Sequence, residues 1–195
     1  LLCEQLQDDY KNQPEYIPSY AVELAILTGM RVGELAALTW DSISKDGILI
    51  NKSEKYNRKT NTYFIDATKN KKERLFPMCN EISNLLDKVK KAELQNGYIC
   101  EWVFANEDGR VHAPVISSCI KNKCRQLGIE ERGIHALRKT FNSKIRNIGV
   151  APTVAATLLG HSVEVNQKYY TFDVTSNDEK KEIVSLINEN LPLAK

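Results

Sequence analysis

His135, Arg138 and Asn142 stand three and then four residues apart, the spacing that lines side chains along one side of a helix. An imidazole and a guanidinium thereby share one patch, a pair of hydrogen-bond donors suited to an anion. Further along, Leu158-Leu159-Gly160-His161 places a histidine directly past a glycine stop, where the chain must turn. A histidine on such a corner is held by the turn yet open to a cleft, well placed to meet a ligand. The third histidine, His112, follows Gly109-Arg110-Val111 in what reads as a loop and receives no role.

The charge distribution says which ligand to expect. A formal net charge of +2 hides a segregation along the chain. Residues 1–30 carry five acids and one base, residues 52–74 eight bases and three acids, and residues 121–146 eight bases and two acids. Two basic blocks of this kind are how a phosphate-binding surface sits inside an unremarkable total. No Gly-rich phosphate loop of the nucleotide-binding type is present, nor a dense carboxylate cluster of the kind two-metal nucleases use. Neither a nucleotide cofactor nor a metal is expected.

The elements that must position these groups follow from periodicity. With 195 residues, 42% of them apolar, the chain can bury about 70% of its unfolded surface around one core. No uncharged apolar stretch reaches the roughly 18 residues that a membrane span requires. Five cysteines with no C-x-x-C pair and no histidine spaced for zinc point to structural thiols in a reduced, cytosolic setting. The amino end has neither an initiator Met nor an export-signal layout, so a fragment of a longer protein is expected. Helices are predicted over 17–29, Val32–Leu38, 80–94, 114–127, 134–148 and 152–159, with a last short helix capped by Ser162 and running through Tyr170. In the helix over 134–148, Ile134, Leu137, Phe141, Ile145 and Ile148 form the stripe expected to face the core. Residues 47–52, 62–68 and 73–77 read as strands of a small three-stranded antiparallel sheet, with a polar hairpin at 53–61 and a tight turn at 69–72. The fold class is α+β, mainly helical, in a single domain over 1–195. An amphipathic helix closes it at 176–191.

Four separated pieces, taken together, resemble the tyrosine recombinase, or phage integrase, family, and specifically its carboxy-terminal catalytic domain. They are Thr28-Gly29-Met30-Arg31-Val32-Gly33-Glu34-Leu35, then Lys69-Asn70-Lys71-Lys72-Glu73-Arg74, then His135-Ala136-Leu137-Arg138, and last Leu158-Leu159-Gly160-His161 with Tyr170 beyond it. The resemblance covers roughly residues 20–190. It implies a reaction in which a tyrosine hydroxyl attacks a DNA phosphodiester, giving a covalent 3′-phosphotyrosine and a free 5′-hydroxyl.

Carried over residue by residue, the resemblance makes Tyr170 the nucleophile. Arg31, Arg138 and His161 hold the scissile phosphate, Lys69 is the general acid, His135 assists proton transfer, and Glu34 orients Arg31. The residue types suit the work. A guanidinium gives two parallel hydrogen bonds to phosphate oxygens, and a phenol with a pKa near about 10 needs neighbouring positive charge to release its proton. A lysine between arginines has its own pKa lowered by repulsion. Lys71 and Lys72 compete with Lys69 for the acid's place, because a one-residue slip of the hairpin would aim a different side chain inward. Tyr169 is adjacent to Tyr170, about 100° around a helix, and is assigned to packing. Lys139 stands where many family members have histidine.

Double-stranded DNA is the implied partner, with Lys52, Lys55, Arg58, Lys59, Lys71, Lys72 and Lys139 as backbone contacts. A tetramer on DNA, accessory directionality factors and a place at the bacterial nucleoid are implied with it. The length of the basic hairpin is similar to that of integrases of conjugative transposons and phages. The family's amino-terminal core-binding domain is expected to be absent from this stretch, and the 176–191 helix is expected to dock on a neighbouring protomer or to pack in cis. Two other readings stay open: a type IB topoisomerase, with similar chemistry but no partner exchange, and a non-catalytic DNA-binding module.

Overall fold

A computed structural model describes residues 1–68, 73–170 and 177–189, leaving out the side chains of Gln167, Tyr169, Tyr170, Glu179, Ile183, Ile187, Asn188 and Glu189. Lys69, Lys71 and Lys72 lie outside the described residues, as does the Tyr170 side chain.

At the centre is α2 (Pro18–Thr28), whose Tyr20, Ala21, Val22, Leu24 and Ala25 are all buried. A helix apolar around its whole circumference belongs inside a bundle. It packs against α1 (Leu2–Asn12), α4 (Asn80–Asn96), α5 (Ala113–Gln126) and α6 (Ile134–Asn147). α1 had no apolar periodicity to announce it, since Leu6 is its one fully buried apolar side chain. Polar contacts hold it instead. Lys123 Nζ donates to buried Asp9 at 2.8 Å, Ser19 Oγ donates to the other oxygen at 2.9 Å, and Tyr10 stacks on Tyr20 with ring centres 4.2 Å apart.

The expected three-stranded sheet is not what forms. β1 (Gly47–Ile50) pairs with β4 (Arg74–Pro77), and β2 (Lys52–Asn57) pairs with β3 (Thr62–Ala67), both antiparallel. The two pairs adjoin where Thr68 N–H donates to Asn51 O. A short hairpin joins β5 (Ala105–Asn106) to β6 (Gly109–Arg110). Of the polar hairpin expected at 53–61, residues 53–57 are strand: Tyr56 lies opposite Tyr63, and Lys55 bonds Asp66 at 2.6 Å. The run 73–77 turns back to β1 rather than to β3, because Ile48 and Ile50 of β1 need the cover that Phe76 provides.

The remaining helices carry the site. α3 (Val32–Ala36) follows α2 closely; α7 (Pro152–Leu159) and α8 (Val163–Tyr170) pack on α6; and α9 (Asn177–Glu189) ends the described chain with Val184 and Leu186 exposed. Ser162 Oγ accepts from Val165 N–H at 3.3 Å, the predicted cap of α8. One correction concerns α6. Ile148, placed on the core stripe, is 79% exposed because the helix ends at Asn147. Ile134, Leu137 and Phe141 of that stripe do meet the core, Ile134 buried and the other two packed against it. Part of the polar stripe also goes inward: Arg138 and Asn142 are buried, covered by α7 and α8, while His135 stays exposed.

Candidate active site

Arg31 immediately precedes α3, and Glu34 in the first turn of that helix reaches back to it twice. Glu34 Oε2 accepts the Arg31 backbone N–H at 2.9 Å, the return half of a capping box. Its Oε1 accepts from Arg31 Nη1 at 2.8 Å. The carboxylate takes a second guanidinium from the start of β4, where Arg74 Nη1 and Nη2 donate to Oε1 and Oε2 at 3.1 and 2.7 Å. Burial alone would raise the Glu34 pKa; the bonds and charge of Arg74, then Arg31, outweigh it and hold the carboxyl at about 2. A buried carboxylate thus binds two arginines together.

The third guanidinium comes from α6. Arg138 is 1% exposed, a burial a charged side chain tolerates only when its donors are used. Nη1 donates to Gly29 O at 2.7 Å, at the end of α2, and Nη2 donates to Leu159 O, at the end of α7, and to His161 Nε2 at 2.7 Å. Helix C-terminal carbonyls carry partial negative charge, so this is a favourable seat for a cation. His161 accepts with Nε2, which puts its proton on Nδ1. Burial, then the charges of Arg138, Arg31 and Arg74, push its pKa down to about 3, and the imidazole is neutral.

Arg31, Arg74 and His161 converge on one pocket of about 350 Å³, whose remaining lining is Thr68, Glu73, Thr157, Gly160 and Ser162. Arg31 Nη2 reaches Gly160 O at 3.4 Å, across 129 positions of sequence. Gly160 itself is required: its φ is +63°, and a Cβ there would meet Arg74 Nη1 at 3.0 Å. The described structure breaks after Thr68, which follows β3, and resumes at Glu73, which precedes β4, and both are pocket residues.

Of the residues singled out in the sequence, Arg31, Glu34, Arg138 and His161 come together. His135 is exposed on the first turn of α6 and does not line the pocket; burial of part of its ring, then Arg138, Lys139 and Arg31, lower its pKa. Tyr170 is the final residue of α8. Lys52, Lys55, Arg58 and Lys59 lie on the β2–β3 hairpin and do not line the pocket, with Arg58 and Lys59 exposed at its turn. Lys139 is half-buried on α6.

Two residues escaped the sequence reading. Arg74 falls in the Lys69–Arg74 piece and the 73–77 strand but receives no role there, although a glutamate destined for burial demands a partner. Glu54, on β2, is buried and accepts from Arg110 Nε at 3.0 Å, His112 Nδ1 at 2.7 Å and Ala113 N–H at 2.9 Å. It pins the hairpin to the start of α5, and it gives His112 a structural task. Tyr63 stacks on the His112 ring at 4.4 Å. Among the described residues no group of His, Cys, Asp and Glu is arranged to hold a metal ion.

This architecture is shared with solved DNA-acting enzymes. The Tn1549 transposon integrase in complex with transposon right end DNA superposes with a TM-score of 0.70 at 20% identity, over 87% of this chain and 58% of that one. The XerA recombinase gives 0.68 at 20% identity, over 95% and 62%. In sequence, the chain is 29% identical over 192 residues to a tyrosine recombinase XerC-like protein of Caldanaerobacter subterraneus subsp. tengcongensis, covering 85% of this chain and 48% of that protein. It thus spans about half the length of that relative. Residues 3–175 match the phage integrase family, and the chain belongs to it.

Proposed function

We propose that residues 1–195 are the catalytic domain of a site-specific DNA recombinase that integrates or excises a mobile element. The observation that carries this reading is the convergence of Arg31, from the α2–α3 junction, with His161 and the Arg138 behind it, from α6 and the α7–α8 corner, on one cationic pocket. A metal-free phosphoryl transfer needs such a cradle, because charge collects on the non-bridging oxygens in the transition state and fixed guanidinium donors neutralise it without reorganisation.

In the reaction, the Tyr170 hydroxyl oxygen forms a bond to phosphorus as the bond from phosphorus to the 5′-oxygen breaks. Lys69 supplies a proton to the departing oxygen, and His135 assists proton transfer by accepting the proton that the Tyr170 hydroxyl gives up. Arg31, Arg138 and His161 hold the phosphate, and Glu34 orients Arg31. Energy is conserved in the phosphotyrosine ester, so a 5′-hydroxyl can attack in reverse and rejoin the strand without a nucleotide cofactor. The duplex backbone lies along Lys52, Lys55, Arg58, Lys59, Lys71, Lys72 and Lys139, binding mainly through counterion release. Four copies assemble on DNA in the cytoplasm, with α9 docking on a neighbour and directionality factors choosing the outcome.

A duplex nicked beside the cleavage site, which traps the covalent step, tests the reading. The expected result is a protein–DNA adduct that resists denaturant and disappears with Tyr170→Phe. An adduct undiminished by that substitution would overturn the assignment, and the absence of any adduct would favour a DNA-binding module.

A further inference from the structure

The inward-facing stripe of α6 holds a second polar residue beyond Arg138. Asn142 lies one helical turn on, and its Oδ1 accepts a hydrogen bond at 2.7 Å from Asn166 Nδ2 of α8. Both asparagines are 0% exposed. Their positions bear on the chemistry: Asn142 follows Arg138 by four residues on α6, and Tyr170 follows Asn166 by four residues on α8. The pair is therefore a fixed strut between the helix that carries a phosphate-binding arginine and the helix that ends in the nucleophile.

We propose that Asn142 and Asn166 are positioning residues for strand cleavage, an amide clamp that sets the axial register of α8 on α6. The inference rests on the assignment of Tyr170 as nucleophile. α8 is two turns long, Val165 is 38% exposed and Val163 is only partly buried. Apolar contact is non-directional, and so little of it leaves the helix free to slide or rotate at small cost. A buried amide pair is directional. A shift of one residue moves α8 by about 1.5 Å along its axis and separates two polar groups in a place that water does not reach, which is costly. A single buried asparagine fixes the register of coiled coils on the same ground. Register matters here because a misplacement of about 1 Å between reacting groups lowers a rate by about 100-fold.

Isosteric leucines separate positioning from mere packing. Asn142→Leu and Asn166→Leu each leave one buried amide facing an apolar group, so both are expected to lower the melting temperature and slow Tyr170-dependent adduct formation by about 10- to 100-fold. The double leucine variant replaces both partners of this bond, which removes the one-sided mismatch but does not restore direction. Its expected signature is a melting temperature above that of either single variant, unchanged DNA affinity and an adduct rate still at least about 10-fold slow. A double variant that regains the adduct rate together with stability would overturn the clamp, as would single variants that cleave at the parent rate. Hydrogen exchange reads the register without DNA: amides of 163–170 are expected to exchange faster in the double variant than in the parent, and equal protection overturns the clamp. If the parent chain gives no Tyr170-dependent adduct, the proposed function fails while the exchange comparison still decides whether the clamp exists.

Discussion

Arg74 grips both oxygens of Glu34 across 40 positions of sequence, Nη1 on Oε1 at 3.1 Å and Nη2 on Oε2 at 2.7 Å. The Glu34 side chain is 1% exposed, that of Arg74 7% and that of Arg31 26%. The carboxylate thus belongs first to the buried Arg74, and Arg31 leans on a charge that is already compensated.

Arg74→Ala is expected to cost about 3 kcal/mol, because it removes the two-bond fork from a buried carboxylate and leaves it only the partly exposed Arg31, whereas Arg31→Ala, which leaves the Arg74 fork in place, should cost about 1–2 kcal/mol. Urea midpoints of the two variants measure this; the reverse ranking would make Arg31 the principal partner. Arg74→Lys keeps the charge and loses the fork, so it should fall between them. The Glu34 carboxyl, held at about 2, contributes stability that is complete above the ordinary glutamate pKa of about 4.3 and is lost as pH falls through about 2.

Why Arg74 was hidden and Arg31 legible is a matter of what a sequence encodes locally. Arg31 sits three residues before Glu34, a spacing that helical geometry converts into contact. Arg74 ends a run of basic residues, and nothing in that run distinguishes a buried, bidentate arginine from a solvated one. Helices were readable because burial imprints a period on them. Strand pairing was not, since the choice of β1 rather than β3 as the partner of β4 depends on which apolar surface lacks cover. The polar stripe on α6 was visible as His135, Arg138 and Asn142, but periodicity alone does not say whether a stripe faces water, and only the helices laid over it turn Arg138 and Asn142 inward.

A second carboxylate behaves with the opposite sign. Glu93 on α4 is 4% exposed and accepts the Ala105 N–H at 2.9 Å. Burial pushes its pKa up to about 7, against the bonds from Ala105 and Trp40. The folded chain therefore binds a proton that the unfolded chain has released, so stability falls as pH rises from about 4.3 to about 7, by about 4 kcal/mol at most. Glu93→Gln keeps an acceptor for Ala105 and removes the charge. It should raise the urea midpoint at about pH 8 and leave it nearly unchanged at about pH 4. A gain of equal size at both would locate the effect in packing rather than ionisation.

Gly160→Ala tests the corner that carries His161. Gly97 is the control, with φ +75° and no atom within 4 Å of an added Cβ, while Gly160 combines φ +63° with Arg74 Nη1 at 3.0 Å. Gly97→Ala should cost about 1–2 kcal/mol for the left-handed backbone alone. Gly160→Ala should cost more and should also weaken the Arg74 grip on Glu34, so combined with Arg74→Ala the two losses should fall short of their sum. Additive losses would mean that the glycine serves its backbone conformation only.

The neutral His161 makes the final prediction. Its pKa of about 3 reflects burial first and then three nearby guanidinium groups, of Arg138, Arg31 and Arg74. An anion in the pocket offsets that positive field, so occupancy must raise the value. By linkage, protonation of His161 and binding of the anion favour each other. Imidazole resonances of His161, followed by NMR, are expected to stay in the neutral form down to about pH 4 in the free chain and to titrate at higher pH when a DNA phosphate or inorganic sulfate is bound. His135, exposed on α6 and outside the pocket lining, should move less. Equal shifts at both histidines would point to a diffuse surface effect, and no shift at His161 would place the anion away from this pocket.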